Sequence, residues 1–434
     1  MARVVVIGGG FGGMASAARL AKRGHEVTLL ERLPTLGGAL GFVESEGFAW
    51  EAGPSSTLLP AVVRDLFRKS GRPLERELDL VPREIIREHH FADGSSVALP
   101  GGSRAAQIAA IDELKPGLGD QWAAYVERFA DDWDVLRRNY FERPWRPEVT
   151  DKAVVDRITT RETVAKRVKK AFKDDRLRLL ATHPFVFEGH DPRDVPAWAG
   201  VVSYLEQNFG AWTVPGGMGL LSQAMADRLA TRRVDVRTST PATDIVVSEG
   251  RAVAVATDAG EIDADHVVCA IDPRQLPALA DHVKRTLPAI PPVVCHLGLT
   301  GDDLPDLPAE AVYHGDPMLV VRAGVRAPDG GRAVTILGRG LLSEDIVIAL
   351  VRRGLNLRPH VEVRMDMSPR TQVEQWRTSP MGVLWQGRST LRDRLSTRTP
   401  IPGVYAAGAH ATPGAGLPYV GLSGALVAQE IGDA

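Results

Sequence analysis

The chain has 434 residues, with 52 Lys and Arg against 54 Asp and Glu, a formal net charge of −2 and a hydrophobic fraction of 44%. That length predicts two or three domains or one large interleaved fold. The hydrophobic fraction excludes global disorder, and the even charge balance excludes a chain-wide nucleic-acid binder. The two cysteines, Cys269 and Cys295, cannot build a disulfide framework or a multi-cysteine metal site, so a reducing compartment is expected. No run approaches the roughly 18 apolar residues of a membrane span. The opening apolar run is strand-sized and stops at glycines, so no leader peptide and a cytoplasmic location are expected.

Residues 4–7 (Val-Val-Val-Ile) form a continuous apolar run, as in a parallel strand buried on both faces. Gly8, Gly10 and Gly13 follow as GxGxxG, with Phe11 and Gly12 between them. Residues 14–22 read as a helix stopped by Gly24, and residues 27–30 as a second strand ending at Glu31. This is a complete βαβ dinucleotide fingerprint. Gly8 permits the tight turn, Gly10 admits the pyrophosphate, and Gly13 allows close packing of helix on strand. The phosphates are expected at the helix N-terminus, where free N–H groups and the positive dipole end converge. Glu31 is placed to accept hydrogen bonds from a ribose 2′-hydroxyl, and an acid there disfavours NADP.

The next segment separates FAD from NAD. Gly37, Gly38 and Ala39 follow a short spacer, and then come a strand and Glu51-Ala52-Gly53-Pro54. This order resembles the FAD-binding extension of the phytoene desaturase and amine oxidase superfamily. The resemblance implies non-covalent FAD, with Gly37, Gly38, Gly53 and Pro54 beside it. That family usually has an arginine where this chain has Ala39; Arg32 is the candidate replacement.

Two further blocks carry the same resemblance. Residues 403–432 read as a strand (404–407), a glycine-rich loop and a helix (422–431), like the C-terminal signature of bacterial-type phytoene desaturases. The resemblance implies that Gly408 and Ala409 lie along the ribityl-phosphate arm. It also implies that Gly421 and Leu422 present backbone N–H groups to the flavin ring. His410 and Tyr419 depart from the family pattern in this loop. Each is either a group near the flavin, and so a catalytic candidate, or an ordinary loop or packing residue. In the middle, Val214-Pro215-Gly216-Gly217-Met218-Gly219 precedes a helix, and Val234 to Ile245 contain the motif that in the family places the backbone near Ala242 against the adenine. The glycines at 216–219 lack a preceding apolar strand and a βαβ frame, so they are not read as a second nucleotide site. Electrons are therefore expected to pass to dioxygen, a quinone or another small acceptor.

The resemblance implies an α/β fold: a Rossmann-type, glutathione-reductase-like FAD-binding domain with an inserted α+β substrate domain. Residues 1–75, 196–274 and 396–434 would form the first, and residues 76–195 and 275–395 the second. Trp122, Tyr125, Phe129 and Trp133 share one helix face, which suits either a substrate wall or core packing. Residues 161–178 hold eight basic and three acidic residues, including four of the chain's nine lysines. Val164, Val168 and Phe172 recur there at four-residue spacing, so this helix reads as a solvated face or as a peripheral membrane contact.

No histidine or cysteine cluster has metal-ligand spacing, so no metal is expected, and no GxSxG supports a serine hydrolase. The resemblance implies dehydrogenation of a C–C bond to C=C on a small apolar isoprenoid or polyene, with hydride passing to flavin N5. Amine oxidase-type C–N oxidation, flavin-dependent carotenoid-type isomerisation and non-catalytic flavin binding are the alternatives.

Overall fold

The structure, a computed structural model, describes residues 1–434. A five-stranded parallel sheet runs in the order Val404–Ala406, His266–Cys269, Arg3–Ile7, Glu26–Leu30, Asp235–Arg237. Its strands come from three separated stretches of the chain. The central strand is apolar throughout because both faces are covered, and Val4 to Ile7 are all buried. Helix Phe11–Lys22 returns along it, covered in turn by helices Pro60–Ser70, Gly219–Thr231 and Leu417–Ile431. Gly24, at φ +95°, turns the chain back into the next strand. An antiparallel meander, Ala242–Ser248, Arg251–Thr257 and Gly260–Asp263, stands beside the sheet. Between Gly260–Asp263 and His266–Cys269 the chain leaves the meander for the parallel sheet, at the point where Asp265 accepts the Arg3 N–H.

A second, seven-stranded sheet runs Val361–Met367, Val293–Leu299, Arg332–Arg339, Met318–Ala323, Glu310–Tyr313, Ile85–His90, Ser96–Pro100. A turn at residues 91–95, with Gly94 at φ +87°, joins its last two strands. Side chains alternate between its faces. Cys295, Leu297, Val334 and Ile336 pack against helix Ile346–Val351. Val294, His296, Thr335 and Leu337 face the opposite way, into an internal chamber.

A helical layer caps that chamber. Trp122, Tyr125 and Phe129 lie in its core, with Trp122 stacked on Phe172 and Tyr125 meeting both Phe172 and Phe129, and line no part of the chamber. The aromatic face is therefore packing. Trp198 and Val201 join this layer rather than the parallel sheet, although the division at residue 196 placed them with the nucleotide unit. Around helix Val164–Ala171, Val164, Val168 and Phe172 are buried in the same core, while Lys166, Lys169, Lys170 and Lys173 point to solvent. Its apolar stripe is already covered by protein, which leaves a solvated basic face.

A buried ion cluster ties the layers together. Arg87 donates to Glu206 at 2.7 Å and to Glu310 at 3.0 Å, and Arg322 donates to Glu310 at 2.7 Å. Burial works against the charged Glu310, but Arg322, Arg87 and Arg83 outweigh it and hold the carboxyl down at about 2. A depressed carboxyl contributes stability that is present above its unfolded value and lost as pH falls through the folded one. Glu310→Gln should therefore cost about 3–5 kcal/mol at pH 7, since it leaves buried Arg322 without a carboxylate and Arg87 with Glu206 alone. The gap from wild type should narrow steadily below about pH 4.5, read as urea midpoints across pH.

Candidate functional site

One continuous chamber of about 970 Å³ runs from the parallel sheet's C-terminal ends to the seven-stranded sheet, near the top of the usual range of about 300–1,000 Å³ for ligand clefts. The glycine turn forms its first wall. Gly8 adopts φ +105°. A side-chain carbon at Gly13 would lie 1.9 Å from the Gly8 carbonyl oxygen, and one at Gly12 would lie 2.9 Å from the Gly408 backbone. Gly10 differs: a carbon there would meet nothing within 4 Å, and its φ of −69° suits any residue. No protein neighbour requires a glycine at that position, which faces the chamber. This is a cradle that a side chain would fill at a ligand's expense. Phe11 is buried beside it.

Glu31 lines the chamber with its carboxylate fixed by the N–H groups of Gly9 and Leu33, both at 2.7 Å. Gly37 donates to the Gly9 carbonyl at 2.9 Å, which draws Gly37 and Gly38 alongside Gly10. Ala39 and Gly53 meet so closely that a carbon at Gly53 would lie 2.4 Å from the Ala39 carbonyl. Gly53, Pro54, Ala242, Gly408 and Ala409 all line the chamber. Gly408 is pinned by the Ser423 hydroxyl, which accepts its N–H at 2.9 Å.

Arg32 lines the chamber and donates to the Gln375 carbonyl. Two expectations change here, both in the last helix. The last helix begins at Leu417, capped by Gly416, five residues before the expected start. Gly421 and Leu422 therefore lie inside the helix, where their N–H groups belong to its ladder, and neither lines the chamber. Gly421 instead admits close packing by Val62 and Phe11. The free N–H groups of this helix are those of Leu417 and Tyr419, since Pro418 has none.

His410 is buried, with Nε2 2.6 Å from the Thr378 hydroxyl and 3.2 Å from the Ser379 carbonyl. Burial lowers its pKa, so the ring is neutral. Those bonds tie one chamber loop to another, the role of a loop residue satisfying backbone. Tyr419 faces the chamber and packs at a tilt against Phe141, with centroids 5.1 Å apart. Burial, then the nearby Glu188, raise its phenol well above the usual value.

The far wall was not foreseen. Val294, Val320, Leu337, Phe187, Trp198 and Trp385 give it an apolar surface. His183, His190 and His296 also line it; burial holds His190 and His296 at about 4 and His183 well below its ordinary value, so all are neutral at pH 7. Arg394 donates to the Pro413 carbonyl at 2.9 Å and lies over the Trp385 ring. Glu188, at the end of helix Asp175–Phe187, also faces the chamber, and burial raises its carboxyl to about 7. No motif marks these residues, which come from separate stretches of the chain.

Similarity to known proteins agrees with this geometry. Hydroxyneurosporene desaturase from Cereibacter sphaeroides is 29% identical over 494 aligned residues, covering 99% of this chain and 97% of that protein. 4,4′-Diapolycopene oxygenase from Methylomonas sp. is 26% identical over 499, covering 99% and 98%. Among solved structures, putrescine oxidase bound to putrescine is similar at 17% identity with a TM-score of 0.70, covering 99% of this chain and 98% of the other. Cyclohexylamine oxidase from Brevibacterium oxydans IH-35A is similar at 15% with a TM-score of 0.66, covering 99% of each. The family model for flavin-containing amine oxidoreductases matches residues 11–432. The chain belongs to the flavin-containing amine oxidoreductase family.

Proposed function

We propose that this chain is an FAD-dependent dehydrogenase that introduces a C=C bond into an apolar isoprenoid or polyene. The carrying observation is the full-length similarity to a carotenoid desaturase, joined to a chamber whose far wall is built largely of apolar side chains and neutral histidines. Non-covalent FAD fits the near wall. The open cradle at Gly10 and the N-terminus of helix Phe11–Lys22, which has no acid in its first turn, would receive the diphosphate. Glu31 would receive the ribose, and the backbone around Ala242 the adenine. When bound, the flavin supplies the two-electron acceptor for hydride. The chain's own task is to bind the substrate against Leu337, Val320 and Phe187, exclude water, and take up the proton released. The second glycine cluster supports an acceptor such as dioxygen or a quinone. Its preceding strand, Trp212–Thr213, is two residues long and pairs antiparallel with Val81–Pro82, so no nucleotide-binding βαβ unit is built there.

The substrate is smaller than those of the longer relatives. The desaturase alignment needs 494 positions against 434 residues here. One chamber of about 970 Å³ must hold both flavin and substrate.

Two glycines separate cofactor binding from folding. Gly10→Ala should leave the unfolding free energy of the flavin-free protein within about 0.5 kcal/mol of wild type. Its FAD affinity should fall at least about tenfold, or about 1.4 kcal/mol, in a fluorescence-quenching titration. Gly13→Ala should cost about 1–3 kcal/mol with no cofactor present, because backbone oxygen cannot yield to the new carbon.

The reaction is tested by anaerobic mixing of the flavin-loaded protein with isoprenoids of graded length and with primary amines. The flavin absorption should bleach with an isoprenoid and return on adding dioxygen or a quinone. Bleaching by amines alone would establish C–N oxidation instead, and isoprenoid isomerisation only under reductant would establish the isomerase.

A further inference from the structure

We infer that Glu188 is the proton acceptor of the substrate chamber, an assignment that rests on the dehydrogenation reading above. Six acids line the chamber: Glu31, Glu51, Glu188, Glu206, Asp258 and Glu310. Four are committed. Glu31 accepts from Gly9 and Leu33, Glu51 accepts from the Met218 N–H at 2.6 Å, and Glu206 and Glu310 are held by arginines. Asp258 sits on an exposed hairpin turn. Glu188 alone is deep and uncommitted.

Its position follows from the local sequence. Helix Asp175–Phe187 ends at Glu188, and Gly189, at φ +87°, reverses the chain. The side chain keeps 42% of its surface accessible although it lies deep in the molecule, because it borders the chamber. Three groups face it. His190 Nε2, from the following turn, is 3.6 Å away, but that ring is buried and neutral at pH 7. Arg339, from strand Arg332–Arg339, gives its N–H groups to the carbonyls of Phe187 and Ile290. Tyr419, from the C-terminal helix, keeps its proton. Only burial and the distant charge of Arg339 set the carboxyl's proton affinity, with no hydrogen bond contributing. Such a group exchanges protons near neutrality, as a general base requires. Tyr419 stands at the N-terminus of the helix that borders the glycine loops, so Glu188 borders the meeting point of cofactor and substrate walls.

The step balances. Hydride leaves one substrate carbon with its electron pair for the flavin, the oxidant. The neighbouring C–H bond breaks, its pair becomes the new π bond, and its proton moves to a Glu188 carboxylate oxygen. After product departs, the carboxylic acid returns that proton to water.

The test compares flavin-loaded wild type, Glu188→Gln and Glu188→Asp. One readout needs no substrate. A carboxyl raised by folding costs stability as pH rises from its unfolded value of about 4.5 to about 7. Glu188→Gln should therefore melt higher than wild type above pH 7, and the gap should close below pH 4.5. The second readout is anaerobic flavin reduction by the isoprenoid. The wild-type rate should rise with pH through about 7, Glu188→Gln should be at least about 100-fold slower with that limb gone, and Glu188→Asp should restore part of the rate with the limb present. A wild-type rate or an intact limb in Glu188→Gln, or melting curves that track wild type at every pH, would overturn the assignment. If wild type itself is not reduced by any isoprenoid, the dehydrogenation reading falls and the role of Glu188 with it. If wild type reacts and Glu188→Gln equals it, only Glu188 is excluded.

Discussion

A side-chain carbon at Gly13 would sit 1.9 Å from the carbonyl oxygen of Gly8, and the site is built on that missing atom. It lets the first helix start directly against the end of the central strand. The same device recurs around it. Gly12 meets the Gly408 backbone, and Gly424 in the last helix meets Ala15 and Ser16 in the first. The two helices thus pack at a distance that only glycine and alanine permit, and their N-termini converge on one chamber. Neither has an acid in its first turn or a side-chain cap. An ordinary helix would neutralise that end itself. Here two positive ends are left for something that is not protein.

The two sheets are not separate beads on the chain. The hairpin Phe42–Ser45 and Phe48–Glu51 follows the nucleotide-binding strands in sequence, yet it packs under the seven-stranded sheet. Trp50 donates its indole N–H to the Leu297 carbonyl at 3.0 Å, and Phe48 fills the space where Gly298 has no side chain. In return, Arg322 of the second sheet reaches the Gly53 carbonyl. A chamber enclosed by both units needs walls held in register. Bonds from Trp50 and Arg322 to backbone carbonyls across the units do this directionally, while the buried ion cluster fixes the seven-stranded sheet to the helical layer at a desolvation cost that apolar contacts would avoid.

The nucleotide half was legible because its chemistry is local. A strand, three glycines, a helix and an acid fall within about thirty residues, and each has a positional reason. The start of the last helix was misread for an equally local reason. Gly414, Gly416 and Pro418 look like a loop, but proline in the first helical turn gives up no hydrogen bond and fixes a helical φ. The lysine-rich helix shows a different limit. Four-residue spacing of Val164, Val168 and Phe172 reveals a stripe, not what covers it, and here the cover is Trp122, Tyr125 and Phe129. The substrate wall was illegible because it has no contiguous code. Glu188, His296, Arg322 and Arg394 meet only after the topology is known.

The electrostatics of that wall account for what the chamber can hold. Burial keeps its histidines neutral, and its acids, Glu188 apart, are offset by arginine or by backbone N–H groups. A charged substrate would find only Glu188 and the carbonyl-bonded Arg394 without an ion partner there, and would otherwise lose its hydration without compensation. An apolar one loses only unfavourable contact with water. The chamber therefore selects by what it has already satisfied. One carboxyl escapes this pattern, and an uncompensated buried acid persists against its cost mainly where its proton affinity is put to use.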